Sequence, residues 1–222
     1  MSLYALLDLA VVAAPLALSF DRRVTYLKRW PAALAACAVV GIPFLVWDSL
    51  MATKGAWSFS RTYAGNLLLF HLPPGEFLFF LSAPFASIFI FEVVRAHVPE
   101  KPSPSRRLPW LVAAAAAALA SYAALPRLYT ATVCLALALF LVVAALVHPE
   151  LLRSRRFWIS IGISFVPFLI CNGALTSLPV VTYADGAILG IRIGTIPVED
   201  FFYNFTLLGF AFLSFSLFRG RS

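Results

Sequence analysis

Charge is scarce in this chain. Only 12% of its 222 residues are charged while 62% are apolar, where a soluble domain would carry about 25% charged residues. That shortfall excludes an ordinary water-soluble domain. Lysine is scarcer still. Lys28, Lys54 and Lys101 are the whole supply, and all lie outside the long apolar runs. A microbial-type rhodopsin needs a lysine in its last span for the retinal Schiff base, so that class is excluded. The three cysteines, Cys37, Cys134 and Cys171, fall inside apolar runs with neither metal-ligand nor CxxC spacing. They read as small buried apolar residues. His71, His97 and His148 show no ligand spacing either. With no GxGxxG after a strand and no P-loop, the sequence points to no cofactor and no metal.

What the chain has is apolar length. Runs of roughly 18 or more apolar residues mark transmembrane helices. Seven are predicted, at about 2–20, 31–50, 75–95, 109–125, 128–147, 157–177 and 199–218. The fold class is therefore all-α, a polytopic membrane helical bundle. The first run resembles a signal peptide in length, but no basic residue precedes it and Asp8 lies inside it, so it is read as a retained helix. The net charge of +7 is explained by topology, with no nucleic-acid partner implied. Lys54, Arg61, Arg127 and Arg192 lie on one side, and the other 13 of the 17 basic residues lie on the opposite side. The positive-inside rule then places the N-terminus outside and the C-terminus in the cytoplasm of a multi-pass cell-membrane protein.

An internal repeat organises the runs. Shifting the chain by 124 residues lays "PFLVWD" (43–48) on "PFLICN" (167–172) and "LPPGEFLFF" (72–80) on "IPVEDFFYN" (196–204). Two polar landmarks stay in register, Asp48 with Asn172 and Glu76 with Asp200. The expected organisation is 3+1+3: a first three-helix repeat at 1–95, a linker and joining helix at 96–125, and a second repeat at 126–222. One odd helix between the copies makes both run the same way through the bilayer. Such a parallel repeat has its axis along the membrane normal, so the two acid-bearing segments should converge on one site.

Both acid motifs follow a proline, Pro73-Pro74-Gly75-Glu76 and Pro197-Val198-Glu199-Asp200. Proline favours the first turn of a helix, where free N–H groups and the dipole stabilise an anion. These acids can be read as helix caps at the lipid interface. They can also be read as a site: ionisable groups in a membrane are functional candidates by default. Two neighbouring carboxyls in a poorly solvated place suit acid–base work. Aromatics follow at once, Phe77, Phe79 and Phe80 in one copy and Phe201, Phe202, Tyr203 and Phe205 in the other. Aromatic faces attract cations, although Phe is also common against lipid. Trp47 and Trp57 are either interface anchors or part of the site. Asp48 and Asn172 either reach the acids or end their helices in water. Arg61 and Asp185, at equivalent positions with opposite charge, are candidates to pair, and Arg192 is placed to neutralise Glu199 or meet headgroups. The Asn204-Phe205-Thr206 sequon lies in a membrane segment and is discounted.

The stretches "FLVWDSLMATKGAWSFSRTYAGNLLLFHLPPGEFLFF" and "PVVTYADGAILGIRIGTIPVEDFFYNF" resemble the two copies of the lycopene cyclase domain, the integral-membrane, non-flavin carotenoid cyclase in its fused two-repeat form. In that family each half carries a Pro-x-Glu-Glu or Pro-x-Glu-Asp motif. Here Gly75 stands where the first copy's leading acid would be, leaving Glu76 alone. The resemblance implies a lycopene beta-cyclase, an isomerase of the intramolecular-lyase type, working in the bilayer on lycopene or a related polyene. It implies a redox-neutral cyclisation of the end group through a carbocation. Glu199, Asp200 and Glu76 are then expected to be catalytic. Phe77, Phe80, Phe201, Phe202, Asp48, Asn172 and Trp47 are expected to bind substrate. Association with other carotenoid-synthesis enzymes is left open, as are a cyclase of another membrane isoprenoid and a small proton-coupled transporter.

Overall fold

The computed structural model describes residues 2–20, 25–100 and 106–220. Arg22, Arg23, Lys101 and Arg221, counted above toward the basic side, lie outside the described residues. The chain forms α1 (Leu3–Leu18), α2 (Trp30–Thr53), a single-turn α3 (Arg61–Ala64), α4 (Pro74–His97), α5 (Leu108–Ala123), α6 (Leu128–Val147), α7 (Arg155–Ser177) and α8 (Val198–Arg219). The helix starts follow local chemistry. The Ser2 and Ser154 hydroxyls accept from the N–H groups of Ala5 and Phe157, both at 3.2 Å, capping α1 and α7. Proline opens α2, α4 and α5, where its missing N–H would have had no partner.

Of the seven expected spans, five (α2, α4, α6, α7 and α8) are long and apolar enough to cross a membrane. The other two, α1 and α5, are apolar but have 16 residues each, about 24 Å at ~1.5 Å per residue. Outward-facing Val39, Ile42, Val46, Leu135 and Ile170 are exposed, as a helix facing lipid requires.

The packing runs in matched pairs. α1 lies along α4 and α6 along α8; α2 crosses to α8 while α7 crosses to α4. α4 and α8 share the centre, where Phe91 stacks on Phe212 with centroids 4.8 Å apart. α5 packs on α6.

Two short strand pairs accompany the helices of this mostly helical bundle. β1 (Trp57–Phe59) pairs antiparallel with β2 (Val181–Tyr183) over the acid end, and a second ribbon of β3 (Arg192–Ile193) and β4 (Ile196–Pro197) leads into α8. These strands are too short for any periodicity to reveal. Their register is informative. Trp57 faces Tyr183, Ser58 faces Thr182 and Phe59 faces Val181. Ser58 and Thr182 stand 124 residues apart, so the strand pair is centred on two repeat-equivalent positions. The bridge between Leu69 and Leu72 likewise matches that between Ile193 and Ile196.

Candidate active site

Each acid is delivered by a helix end. Glu76 sits in the first turn of α4, and Glu199 and Asp200 in the first turn of α8. Asp48 and Asn172 come from the closing turns of α2 and α7. Glu76, Asp48 and Asp200 are all buried, and all line one cavity together with Asn172. Among the described residues, ion pairs form at Glu92 and Glu100. Glu92 is 16 residues beyond Glu76 on α4, about 24 Å along the helix. The cavity carboxyls therefore depend on hydrogen bonds.

Those bonds come largely from tyrosine. Tyr4 donates to Glu76 Oε1 at 2.8 Å, and Tyr129 donates to Asp200 Oδ1 at 2.8 Å. Asp200 Oδ2 accepts from Asn172 Nδ2 at 2.7 Å and from the Tyr183 hydroxyl at 2.8 Å. Tyr203 donates to Asp48 Oδ1 at 2.8 Å, and the Asp48 carboxyl also lies within hydrogen-bond reach of Glu76. Two carboxyl groups can bond in that way only when one carries a proton. Burial, and then the charge of Asp200, pushes the Tyr183 hydroxyl well above the usual phenol range. It remains a donor at any ordinary pH.

Glu199 does not face the cavity. Its Oε1 accepts from Thr130 Oγ1 at 2.6 Å and from the Leu189 N–H at 2.7 Å, which ties α8 to α6 and to the loop before β3. Successive residues on a helix point about 100° apart, so adjacent acids cannot serve one face. The same rotation places the expected aromatics. Phe80 is buried against Phe44 and Phe79. Phe201 packs on Phe165 and Phe168, and Phe202 is exposed. Trp47 packs tilted against Tyr203 with ring centroids 4.9 Å apart. These four, with half-buried Phe77, stand outside the cavity wall. The aromatics that line it are Trp57, Phe79, Tyr129, Phe168, Tyr183 and Tyr203 among others, with Phe79 and Tyr203 each three residues beyond an acid, on its own face.

Tyr4 and Tyr129 were missed in the sequence for a definite reason. Leu3-Tyr4 matches Leu128-Tyr129 at an offset of 125, one residue out of the register that aligns the rest. The other pairing expectations fail. Arg61 and Asp185 are both exposed and form no ion pair within the described residues, while Arg192 donates to the Thr195 carbonyl at 2.8 Å. Asn204 of the sequon is buried in the cavity wall. Among the described residues no group of three His, Cys, Asp or Glu side chains is arranged to hold a metal ion.

The cavity, about 330 Å³, runs from the acids down a slot between α1, α4 and α7. Along α4 its wall extends from Glu76 to Ile90, roughly 21 Å at ~1.5 Å per residue. Below the acids the wall is mostly apolar (Leu7, Val11, Ala83, Phe168), interrupted by Asp8, which accepts a 3.4 Å hydrogen bond from Ser82. Such a slot has the lining to take an apolar chain, with three carboxyls at its end.

A family model described as lycopene cyclase matches residues 1–94 and 126–218. The chain belongs to the lycopene cyclase family. Comparison with curated proteins and with solved structures found no match. Family membership suggests carotenoid cyclase activity and implies a polyene substrate. The stretch that the lycopene cyclase match omits contains α5, which packs on α6 and lays Trp110 against Trp158 of α7. Gly75, the repeat counterpart of Glu199, lies against the Tyr4 ring. A Cβ there would stand 2.6 Å from Tyr4 Cγ, so the ring fills the room that a side chain would need.

Proposed function

We propose that the chain is a lycopene beta-cyclase, an isomerase that closes the end group of lycopene by proton addition and proton loss. A proton adds to the terminal double bond, leaving a tertiary cation. The neighbouring double bond attacks it, forming the ring's carbon–carbon bond and moving the positive charge into the ring. Loss of a ring proton restores a double bond. Atoms and electrons balance, and nothing is oxidised or reduced.

The hydrogen bonding divides the labour. Glu76 and Asp48, in mutual reach, are the pair that holds a proton and delivers it. Asp200 receives three donated bonds, from Tyr129, Tyr183 and Asn172. That surrounding favours the charged carboxylate, suited to face the cation and accept the ring proton. Tyr203, Trp57 and Phe79 offer ring faces to the cation. Glu199 is a positioning residue that fixes the first turn of α8. The reading of the chain as two three-helix repeats joined by 96–125 is supported by the strand register and by the two matched stretches. The arginines at the end opposite the acids support a cytoplasmic C-terminus.

One observation carries the reading: three buried carboxyls, without a cationic partner among the described residues, close the tip of an apolar slot. The test is expression of Asp200→Asn and Glu76→Gln in lycopene-accumulating cells. Loss of a positioned acid or base lowers the rate by about 10²–10⁴-fold, so lycopene should persist with cyclic carotenoid nearly absent. Cyclic product at the parental rate in either variant would defeat the assignment.

A further inference from the structure

At the bundle end opposite the acids, a second cavity of about 710 Å³ opens among the ends of α2, α4, α6, α7 and α8. Its wall is arginine-rich. Arg29 precedes α2, Arg95 closes α4, Arg153 ends the turn after α6, Arg156 opens α7 and Arg219 closes α8. At the 124-residue offset Arg29 is the counterpart of Arg153, and Arg95 of Arg219. The duplication has thus set two arginine pairs around one cavity.

Acid has not been duplicated with them. Glu92, buried in contact with this end, has Ser216 as its counterpart. Its Oε2 lies 4.0 Å from Arg29 Nε and 3.4 Å from Arg219 Nε, and its Oε1 lies 3.5 Å from Arg95 Nη1. One carboxylate faces three guanidinium groups. Glu100 is committed elsewhere: it accepts from Ser154 Oγ and, at 3.1 Å, from the Arg155 N–H, with Arg156 Nε at 4.0 Å. Glu150 is exposed at the rim. Five arginines line the cavity with Glu100 and Glu150, and even with Glu92 behind them positive charge is in surplus. Balancing the carbonyl ends of α4 and α8 accounts for Arg95 and Arg219. It does not account for Arg153, which closes a short turn and whose Nη1 is buried without a hydrogen-bond partner among the described residues.

We propose that this cavity binds a phosphate group, with Arg153 and Arg29 as the arms that grip it. Phosphate offers several acceptor oxygens to planar guanidinium forks approaching from different sides, and basic pockets between helices at a membrane surface bind anionic headgroups. The group comes either from an anionic phospholipid or from a soluble phosphate. The site is independent of the cyclase reading.

The test uses the full chain purified in neutral detergent. Thermal unfolding is followed with inorganic phosphate against chloride at matched ionic strength, and with micelles containing phosphatidylglycerol against phosphatidylcholine. A ligand of the folded state raises the midpoint in proportion to its occupancy. A rise with phosphatidylglycerol alone identifies a headgroup site, and a rise with inorganic phosphate as well identifies a general phosphate site. Arg153→Gln, which leaves the Glu92 contacts in place, should weaken binding by about tenfold or more, roughly one charge-assisted contact. Arg153→Lys, which keeps the charge without the fork, should fall between. Native mass spectrometry of the wild type and the lysine variant gives a count of bound lipid should the glutamine variant fail to fold. No rise with either phosphate source, or equal binding by wild type and the Arg153 variants, overturns the proposal.

Discussion

The two acids at the heart of the molecule are counterparts, and their surroundings have diverged. Glu76 is held by Tyr4 and adjoins Asp48, whereas Asp200 is held by Tyr129, Tyr183 and Asn172. The shared part is the scaffold: a proline-started helix, an acid in its first turn, and a tyrosine from the neighbouring helix. The differences are single atoms and single side chains. Asn172 can donate where Asp48 needs a proton to do so. Tyr183 and Tyr203 stand where the first half has Phe59 and Phe79. Glu199 and Thr130 bond to one another, where the first half has Gly75 and Ala5. Duplication supplies symmetry, and proton chemistry needs a donor and an acceptor that differ. The divergence lies at those positions.

The comparison can be broken most forcefully at Asp48. Asp48→Asn makes the first half's partner identical to the second's and removes the carboxyl proposed to share a proton with Glu76. It keeps an oxygen to accept from Tyr203, so folding should survive. Cyclic carotenoid formation in isolated membranes should fall by about 10²-fold; an unchanged rate would mean that the Asp48/Asn172 difference has no part in proton delivery.

Gly75 gives the next effect. A helical Gly→Ala change ordinarily stabilises by ~1 kcal/mol. Here the new Cβ would sit 2.6 Å from the Tyr4 ring, and overpacking should destabilise by about 1–3 kcal/mol. Denaturant unfolding in detergent reads the sign, and stabilisation would show that Tyr4 does not occupy that room.

The hairpins before α4 and α8 differ in the same sense. Gly194 takes φ +63° without a Cβ to strain it, while Phe70 and His71 take 53° and 67° in the first half. Left-handed backbone costs a non-glycine residue roughly 1–2 kcal/mol, so Phe70→Gly should raise the unfolding free energy by about 1 kcal/mol. Gly194→Ala should lower it.

The smallest effect contrasts the sealed acid end with the wetter basic end. Burial alone would push Glu100 up, but hydrogen bonds from Ser154 and from the N–H groups of Arg155 and Arg156 outweigh it and hold the carboxyl below its usual range. A carboxyl depressed in the fold stabilises above its unfolded pKa of about 4.3, and that stabilisation is lost as pH falls through the folded value. The unfolding midpoint should drop slightly below pH ~4.3, and Glu100→Gln should flatten that drop.

Much of the architecture was legible from residues alone, because it depends on local properties. Apolar runs set the helices to within a few residues, as at 128–147 for α6. Prolines marked the starts of α4 and α8. Asp48/Asn172 and Glu76/Asp200, held in register at one offset, showed that two halves meet. Tertiary structure decided what depends on phase and distance. It turned Asp200 into the cavity and Glu199 away, moved Phe77, Phe80, Phe201 and Phe202 off the wall, and brought Tyr4 and Tyr129 to the acids from helices one residue out of register. It also gathered five arginines from distant helix ends around one cavity. Hydrophobicity and proline geometry act along the chain and can be read there; which side of a helix faces which neighbour is decided only when the helices pack.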